Sequence, residues 1–255
     1  MGGTEDLNDA ELRRLTQQVI APGASEPFGI YVFRAGDAGA VLGRHVERAV
    51  FLESFGNSPD LLTKEYEPYE PSSVFICVVD QMRRLPAGVM RVLLPSNSGF
   101  KSFNDLESVW GERIDAMTDR TGIQIDPLKT WDIATLAVAE EYRGKATMGL
   151  VSMGLYQALT MSALNCGVGW FVAILDMPVF RMIRWKLHMI FAGYKGVPAM
   201  PYLGSAASIP AWCDVIEAEK RLTSDPDLYS ILVKGIGLEP ALRPLDMSTA
   251  QVLVA

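Results

Sequence analysis

The sequence predicts a mixed α/β sandwich in which helices cover a twisted sheet. Three observations carry this. Two apolar runs, Ser73 to Asp80 and Val89 to Leu94, flank a turn at Arg83-Arg84-Leu85-Pro86-Ala87-Gly88, the pattern of an antiparallel hairpin. A strand-like run, Trp131 to Val138, leads into a long uncharged helical segment and then a second apolar run, Trp170 to Leu175. Ahead of both, an alternating run precedes a segment with apolar residues at helical spacing.

Taken in order, residues 1–27 read as an N-terminal extension with a helix from Asp9 to Ile20, ended by Ala-Pro-Gly. Phe28 to Arg34 alternates as a strand. Asp37 to Phe55 places Val41, Val46, Val50, Phe51 and Leu52 at helical spacing. Gly56 to Pro71 is polar and reads as a loop. After the hairpin, residues 96–128 look irregular and partly helical, with Asn104 or Asp105 as a cap. The strand from Trp131 follows, then a helix from about Thr147 to Asn165 and a strand from Gly169. Pro178 opens a helix over Val179 to Leu187. Phe191 to Val197 reads as a strand and Pro210 to Leu222 as a helix. One domain over 28–223, with a weakly patterned tail at 224–255, is the expected organisation.

Composition narrows the partners. With 49% hydrophobic and 21% charged residues the chain can bury an ordinary globular core. A formal net charge of −7 and the lack of a long basic block argue against nucleic acid. Cys77, Cys166 and Cys213 lie far apart with no C-x-x-C, so a reduced, cytoplasmic setting is expected. His45 and His188 have no ligand partner at zinc spacing, so no metal is expected. The start, Met-Gly-Gly-Thr-Glu-Asp, lacks the basic and apolar regions of a secretory signal, and Asp6 argues against myristoylation. Ala146 to Leu175 contains no charge, which is long enough for a membrane span. Ser152, Gln157, Thr160 and Asn165 punctuate it, and Gly167 and Gly169 break it, so a buried helix and a buried strand are expected instead.

The candidate chemistry starts at Arg143-Gly144-Lys145. Two cations beside the free N–H groups of a helix start form an anion site, with Gly144 allowing close backbone approach. A plain solvated helix start has the same sequence. The element order and the Tyr142-Arg143-Gly144-Lys145 start resemble the GNAT N-acyltransferase superfamily. Within it, the chain looks most like the acyl-homoserine-lactone (autoinducer) synthases and the N-acyl amino acid synthases, from about Arg44 to Leu187. Three stretches carry this. Glu65-Tyr66-Glu67-Pro68-Tyr69-Glu70 resembles E-x-D-x-[YF]-D. Gly88-Val89-Met90-Arg91-Val92-Leu93-Leu94-Pro95-Ser96 resembles G-x-x-R-L-x-P-T. Trp131-Asp132-Ile133-Ala134-Thr135-Leu136-Ala137-Val138 resembles W-E-x-S-R-F-x-V. The departures are Thr135 for the motif arginine, Asp132 for its glutamate, and Ala146 and Met148 where ordinary GNAT phosphate loops have glycine or another small residue.

The resemblance implies a mainly antiparallel GNAT-like sheet. It also implies transfer of an acyl group, of medium or long chain, from an acyl-CoA or acyl-carrier-protein thioester to the amine of a small amino-acid-like acceptor. A short-chain acetyltransferase and a degenerate member that binds acyl ligands or a protein without turnover stay open. For the donor, Arg143, Gly144, Lys145 and Thr147 would hold phosphates. Leu136 and Val138, on a strand that splays from the one at Gly169, would line the pantetheine. Alternation puts Asp132, Ala134, Leu136 and Val138 on one face, with Asp132 as a base at the cleft or as an aspartate bonded to a loop. Glu65 would bind the acceptor ammonium, and Glu67 and Glu70 would assist its deprotonation. Crowding of the three carboxylates would raise their pKa values, unless the loop is merely solvated. Arg91 projects with Val89, opposite Met90 and Val92, and needs a carboxylate from Glu65, Glu67, Asp132 or the ligand. Arg48, like Arg44, is a candidate for the acceptor carboxylate. The general-acid tyrosine many GNATs carry has no counterpart in Val179 to Trp185, which leaves His188 as a substitute or as a buried structural residue. Met148, Met153, Met161, Met177, Met182 and Met189 suit a flexible acyl chain, or simply a core. With no legible Ser-His or Cys-His arrangement, direct attack is expected.

Overall fold

The computed structural model describes residues 7–187 and 191–248. Asn8 caps helix α1 (Asp9–Val19), and its side chain and that of Glu11 satisfy each other's backbone N–H groups. Strand β1 (Phe28–Arg34) leads to α2 (Ala40–Phe55) and α3 (Pro59–Tyr66). The hairpin is β2 (Ser73–Asp80) and β3 (Leu85–Leu93), and α4 (Lys101–Trp110) and α5 (Ile114–Thr121) follow. Next come β4 (Thr130–Val138), α6 (Leu150–Asn165), β5 (Trp170–Asp176) and α7 (Met177–Lys186). The chain closes with β6 (Ala192–Gly193), β7 (Met200–Tyr202), β8 (Ser205–Asp214), α8 (Val215–Leu222), α9 (Pro226–Leu232) and β9 (Leu242–Arg243).

The strands form one sheet in the order β6-β8-β5-β4-β3-β2-β1-β9, with β7 beside β8. Pairing is antiparallel except β4 with β5 and β1 with β9. Every residue of β2 and β3 is buried, because helices cover both faces of the hairpin. On one face α2 packs over Phe75, Cys77, Val89 and Ala137. On the other, α6 packs over Val78, Met90 and Val92 as part of the main core. Alternation along β3 thus places Arg91 and Val89 under α2 and Met90 and Val92 under α6, as the sequence predicts.

Five expectations about elements need correction. The loop over 56–71 contains α3, started by Ser58 capping Leu61 N–H with Pro59 behind it, and then a 3-10 turn over Glu67–Ser72. Residues 96–128 are partly helical as expected, but Asn104 and Asp105 lie inside α4, whose N-cap position is Phe100, rather than at its cap. The helix expected after 147 starts at Leu150, because Met148 and Gly149 both take left-handed backbone angles. The strand expected over 191–197 shrinks to β6. Residues 205–214 are a strand along β5, and only Val215 onward is helical. Pro210 misled the helix reading; it sits opposite Ile174 at a position where β8 has no partner from β6 or β7, so its missing N–H costs little. Within the stretch read as a weakly patterned tail, Leu232 and Leu242 are fully buried in the main core. The uncharged stretch divides at Gly167 into α6 and β5, and among the described residues no helix is long and apolar enough to cross a membrane.

Candidate active site

The site grows from one irregularity in the sheet. The parallel strands β4 and β5 pair only at Thr130, Trp131 and Asp132 with Trp170, Phe171 and Val172. Beyond these residues they diverge, as the sequence reading of a splayed strand requires. The gap opens a cleft of about 120 Å³. Its walls are Ile133 to Leu136 from β4, Ile174 to Asp176 from β5, Tyr156 and Leu159 from α6, and Val179 and Ile183 from α7. Phe51, Phe55, Tyr66 and Tyr202 close the other side. The lining is mostly apolar, which suits an aliphatic chain better than a charged metabolite.

A β-bulge marks the inner end of the gap. Arg91 faces Thr135 and Val92 faces Ile133, which leaves Ala134 as the extra residue. The bulge resets the alternation. Asp132 therefore shares a face with Thr135 and Arg91, not with Leu136, and the single face predicted for Asp132, Ala134, Leu136 and Val138 does not exist. The Tyr66 hydroxyl donates to the Ala134 carbonyl at 3.1 Å.

Behind Tyr66 lies a buried charge network on the α2 face. Arg91 donates to both oxygens of Glu47, at 3.0 and 2.6 Å, and to Glu70 at 2.9 Å. The Thr135 hydroxyl donates to Glu47 at 2.5 Å. Arg44 pairs with Glu70 as well. The Arg91 guanidinium stacks on the Tyr66 ring at 4.3 Å and on Phe75 at 4.6 Å. Burial acts to lower Arg91, but Glu47 and Glu70 outweigh it and hold its pKa above the ordinary value. Burial, with Glu47 next, pushes the Tyr66 phenol well up, so it stays a donor.

A second cluster adjoins it. Lys101 bridges Glu65 at 2.7 Å and Asp105 at 2.6 Å. Tyr202 on the cleft wall donates to Asp105. Burial acts against the Lys101 charge, but Asp105 and Glu65 keep its pKa raised. Burial, followed by Tyr66 and Asp105, pushes the Tyr202 phenol up.

The structure treats the predicted residues unequally. Asp132 is completely buried and outside the cleft wall; Ser102 donates to it from its N–H at 2.8 Å and its hydroxyl at 2.6 Å. It is thus the anchor of the α4 N-terminus, where a carboxylate meets free N–H groups, and no ligand amine reaches it directly. Burial pushes its pKa up to about 6. Glu67 is exposed and also outside the cleft lining. Glu65 and Glu70 face cations rather than each other, so the expected crowding of carboxylates is absent. The partners of Arg91 are Glu47 and Glu70, not Glu65, Glu67 or Asp132. Arg48 donates to Thr63 on α3, at 3.1 Å. Leu136 lines the cleft, whereas Val138 contributes its carbonyl to Arg143.

The phosphate segment is an exposed loop. Arg143 donates to the Val138 carbonyl at 2.7 Å and pairs with Glu53 at 3.1 Å. Gly144 takes φ +58 with open space around its Cα, Lys145 is exposed, and Thr147 donates to the Tyr142 carbonyl at 2.7 Å. α6 starts without a side-chain cap, and its first N–H group, that of Leu150, donates to the Thr147 carbonyl at 3.0 Å. Of the two readings of the methionines, the core one fits Met153, Met177 and Met182, which pack against the main core. Met148 is 92% exposed, and none of Met153, Met161, Met177 or Met182 lines the cleft, while Met90 does. His188 and Met189 lie outside the described residues, as does the Met1 to Asp6 start.

Glu47, Tyr66, Lys101, Asp105 and Tyr202 were not assigned from sequence. Glu47 carried a signal: an acid one position from Val46 and three from Val50, on the buried stripe of α2, demands a buried cation. Tyr202 carried none, because the short β7 and its turn bring it to the cleft from far along the chain.

No family model and no curated protein sequence matches the chain. Solved structures share its fold. A CoA-dependent acyl-homoserine lactone synthase, BjaI, with SAM and isopentyl-CoA, is 15% identical, with a TM-score of 0.53 over 88% of this chain and 97% of that one. FeeM, an N-acyl amino acid synthase from uncultured soil microbes, is 12% identical, with a TM-score of 0.56 over 79% and 98%. The AHL synthase LasI is 11% identical, with a TM-score of 0.52 over 83% and 96%. The chain therefore shares the fold of these acyl-homoserine lactone and N-acyl amino acid synthases, as the sequence resemblance implied.

Proposed function

We propose that the protein is an N-acyltransferase. It takes a medium- or long-chain acyl group from a CoA or carrier-protein thioester and delivers it to the amine of a small amino-acid-like acceptor in the cytoplasm. The observation that carries this reading is the gap between β4 and β5, opening beside the Ala134 bulge into an apolar cleft. A pantetheine arm fits such a gap because the unpaired strand edges supply amide partners. In this reading Arg143 and Lys145, in the loop that leads into the uncapped start of α6, hold the phosphates of the carrier.

The acceptor enters from the α2 side, where Tyr66, Tyr202 and the Lys101 and Arg91 clusters are gathered. Its nitrogen attacks the thioester carbonyl carbon, the amide of Ala134 takes the oxyanion, and the C–S bond then breaks to release the thiolate. Tyr202 accepts the amine proton as its own proton passes to Asp105. Asp132 and Glu70 act in this scheme as positioning residues, through α4 and Arg91.

Native mass spectrometry with an acyl-CoA series and an acyl-loaded carrier protein tests the reading. Saturable binding that favours longer chains and weakens in Arg143→Glu supports it, and an amine screen then finds the acceptor. Failure of every thioester to bind removes it. One observation favours a second reading, a ligand-binding member without turnover: Asp132 and Glu67 do not reach the cleft wall. Tight donor binding with no acylated product from any amine selects that alternative.

A further inference from the structure

One wall of the cleft is a helix whose outer face has no role in the scheme above. In α7, Val179 and Ile183 lie four residues apart and line the cleft. Arg181 and Trp185 repeat that spacing about half a turn away, so they point outward. Trp185 is 82% exposed, and Arg184 and Lys186 are exposed beside it. Among the described residues none of these three cations meets a carboxylate; Arg184 lies over the Phe180 ring at 5.1 Å.

The surroundings share this character. From Met177 to Cys213 the sequence has no Asp or Glu, although the chain carries 30. That stretch forms α7, β6, β7 and β8, which make up one edge of the sheet. It also brings Tyr202, Leu203, Ser205 and Ser208 to the cleft. The β7–β8 turn beside them exposes Pro201, Gly204 and Ala206, all uncharged. In a chain of net charge −7, an edge with cations and no acid is a local exception, and bulk charge does not explain it. An indole, with an apolar body and one N–H, suits the boundary between lipid headgroups and hydrocarbon better than open water.

We infer that this edge docks the protein on an anionic lipid bilayer. Arg181, Arg184 and Lys186 meet the lipid phosphates, and the Trp185 ring enters the headgroup layer. Charge complementarity names the surface, and the exposed indole among the cations selects a bilayer over an acidic protein. On the acyltransferase reading the docking has a use: an acyl chain on a small polar head is an amphiphile that partitions into lipid. Docked in this way, α7 stands between the cleft and the bilayer, a thickness of about 10 Å. The surface itself is read from charge and exposure; only this use rests on the acyltransferase reading.

Flotation of the full chain with equimolar phosphatidylcholine–phosphatidylglycerol vesicles, and with phosphatidylcholine vesicles, tests this. Binding is expected to the anionic vesicles alone, and to weaken with added salt. Each cation near such a surface contributes about fivefold in affinity, so Arg181→Gln, Arg184→Gln and Lys186→Gln together are expected to lower it about 100-fold. Trp185→Ala is expected to lower it about threefold or more. Arg14→Gln, Lys64→Gln and Lys220→Gln together remove as many exposed cations elsewhere and are expected to lower it far less. All of these side chains are exposed, so the variants are expected to melt as wild type does. Absence of wild-type binding overturns the inference. So do equal losses in the two triple variants, or unchanged binding by Trp185→Ala. Retention of an acidic carrier protein but not of vesicles, lost in the α7 triple variant, would give the face to a protein and overturn it too. Vesicle binding by a chain that binds no thioester upholds the surface and removes the acyltransferase reading alone.

Discussion

Removing the Arg91 guanidinium exposes the energetic logic of the α2 face. Arg91 and Glu47 have side chains only 4% and 2% exposed, and each satisfies most of the other's charge. In Arg91→Met, Glu47 keeps one donor, the Thr135 hydroxyl, and loses both bonds from the guanidinium. Glu70 loses less, because it is a third exposed and still holds Arg44. Stranding one partner of a buried pair costs about 3–5 kcal/mol. With a urea m-value of roughly 2–3 kcal/mol/M, the midpoint falls by about 1–2 M at constant m. Glu47→Leu in the same chain removes the stranded charge and is expected to restore at least half of the loss. A single variant that loses less than ~1 kcal/mol, or a double variant whose loss is the simple sum of two singles, would refute the reasoning.

Asp132→Asn tests the burial of that carboxylate by its pH dependence. A native pKa of about 6 against an ordinary 3.8 means that the folded state holds the proton more tightly, so stability falls as pH rises through that window. The fall is about 3 kcal/mol at most by linkage, and the variant should lack it in urea melts at pH 4 and 7; parallel pH profiles would contradict the assignment. Gly88→Ala places a Cβ 2.6 Å from Val151 and 3.2 Å from the Ala137 carbonyl, which forces α6 off the sheet beside the cleft. A loss of about 1–3 kcal/mol is expected, and a melting temperature equal to wild type would show that α6 is not seated there. Tyr202→Phe should lower kcat about 100-fold while donor affinity changes less than twofold; an unchanged kcat removes Tyr202 from proton transfer.

The sequence exposes the parts of the fold whose local pattern and tertiary role agree. β2 and β3 are apolar runs around a turn, and β4, α6 and β5 follow a βαβ order with a glycine break at Gly167. The adjacency of β4 and β5 was legible from that order, whereas their divergence was read only from the family resemblance. β8 was not, because its small residues, Ser205 to Ser208, have weak strand preference and Pro210 mimics a helix start. At the site, the need of Arg91 for a carboxylate could be read from an arginine in an apolar strand, but the choice of Glu47 rests on how α2 crosses the sheet. The Ala134 bulge defeated strict alternation and turned Asp132 away from the cleft. A one-residue insertion leaves no mark on composition, yet it re-aims every side chain beyond it.

The central claim is that the gap between β4 and β5 holds an acyl thioester. Calorimetric titration of octanoyl-CoA into wild type and into Ile174→Trp, whose added ring would fill the gap from β5, tests it most directly. The account predicts saturable binding to wild type, and a loss of at least tenfold in a folded Ile174→Trp. Equal binding by the two proteins would place the thioester elsewhere and contradict the account.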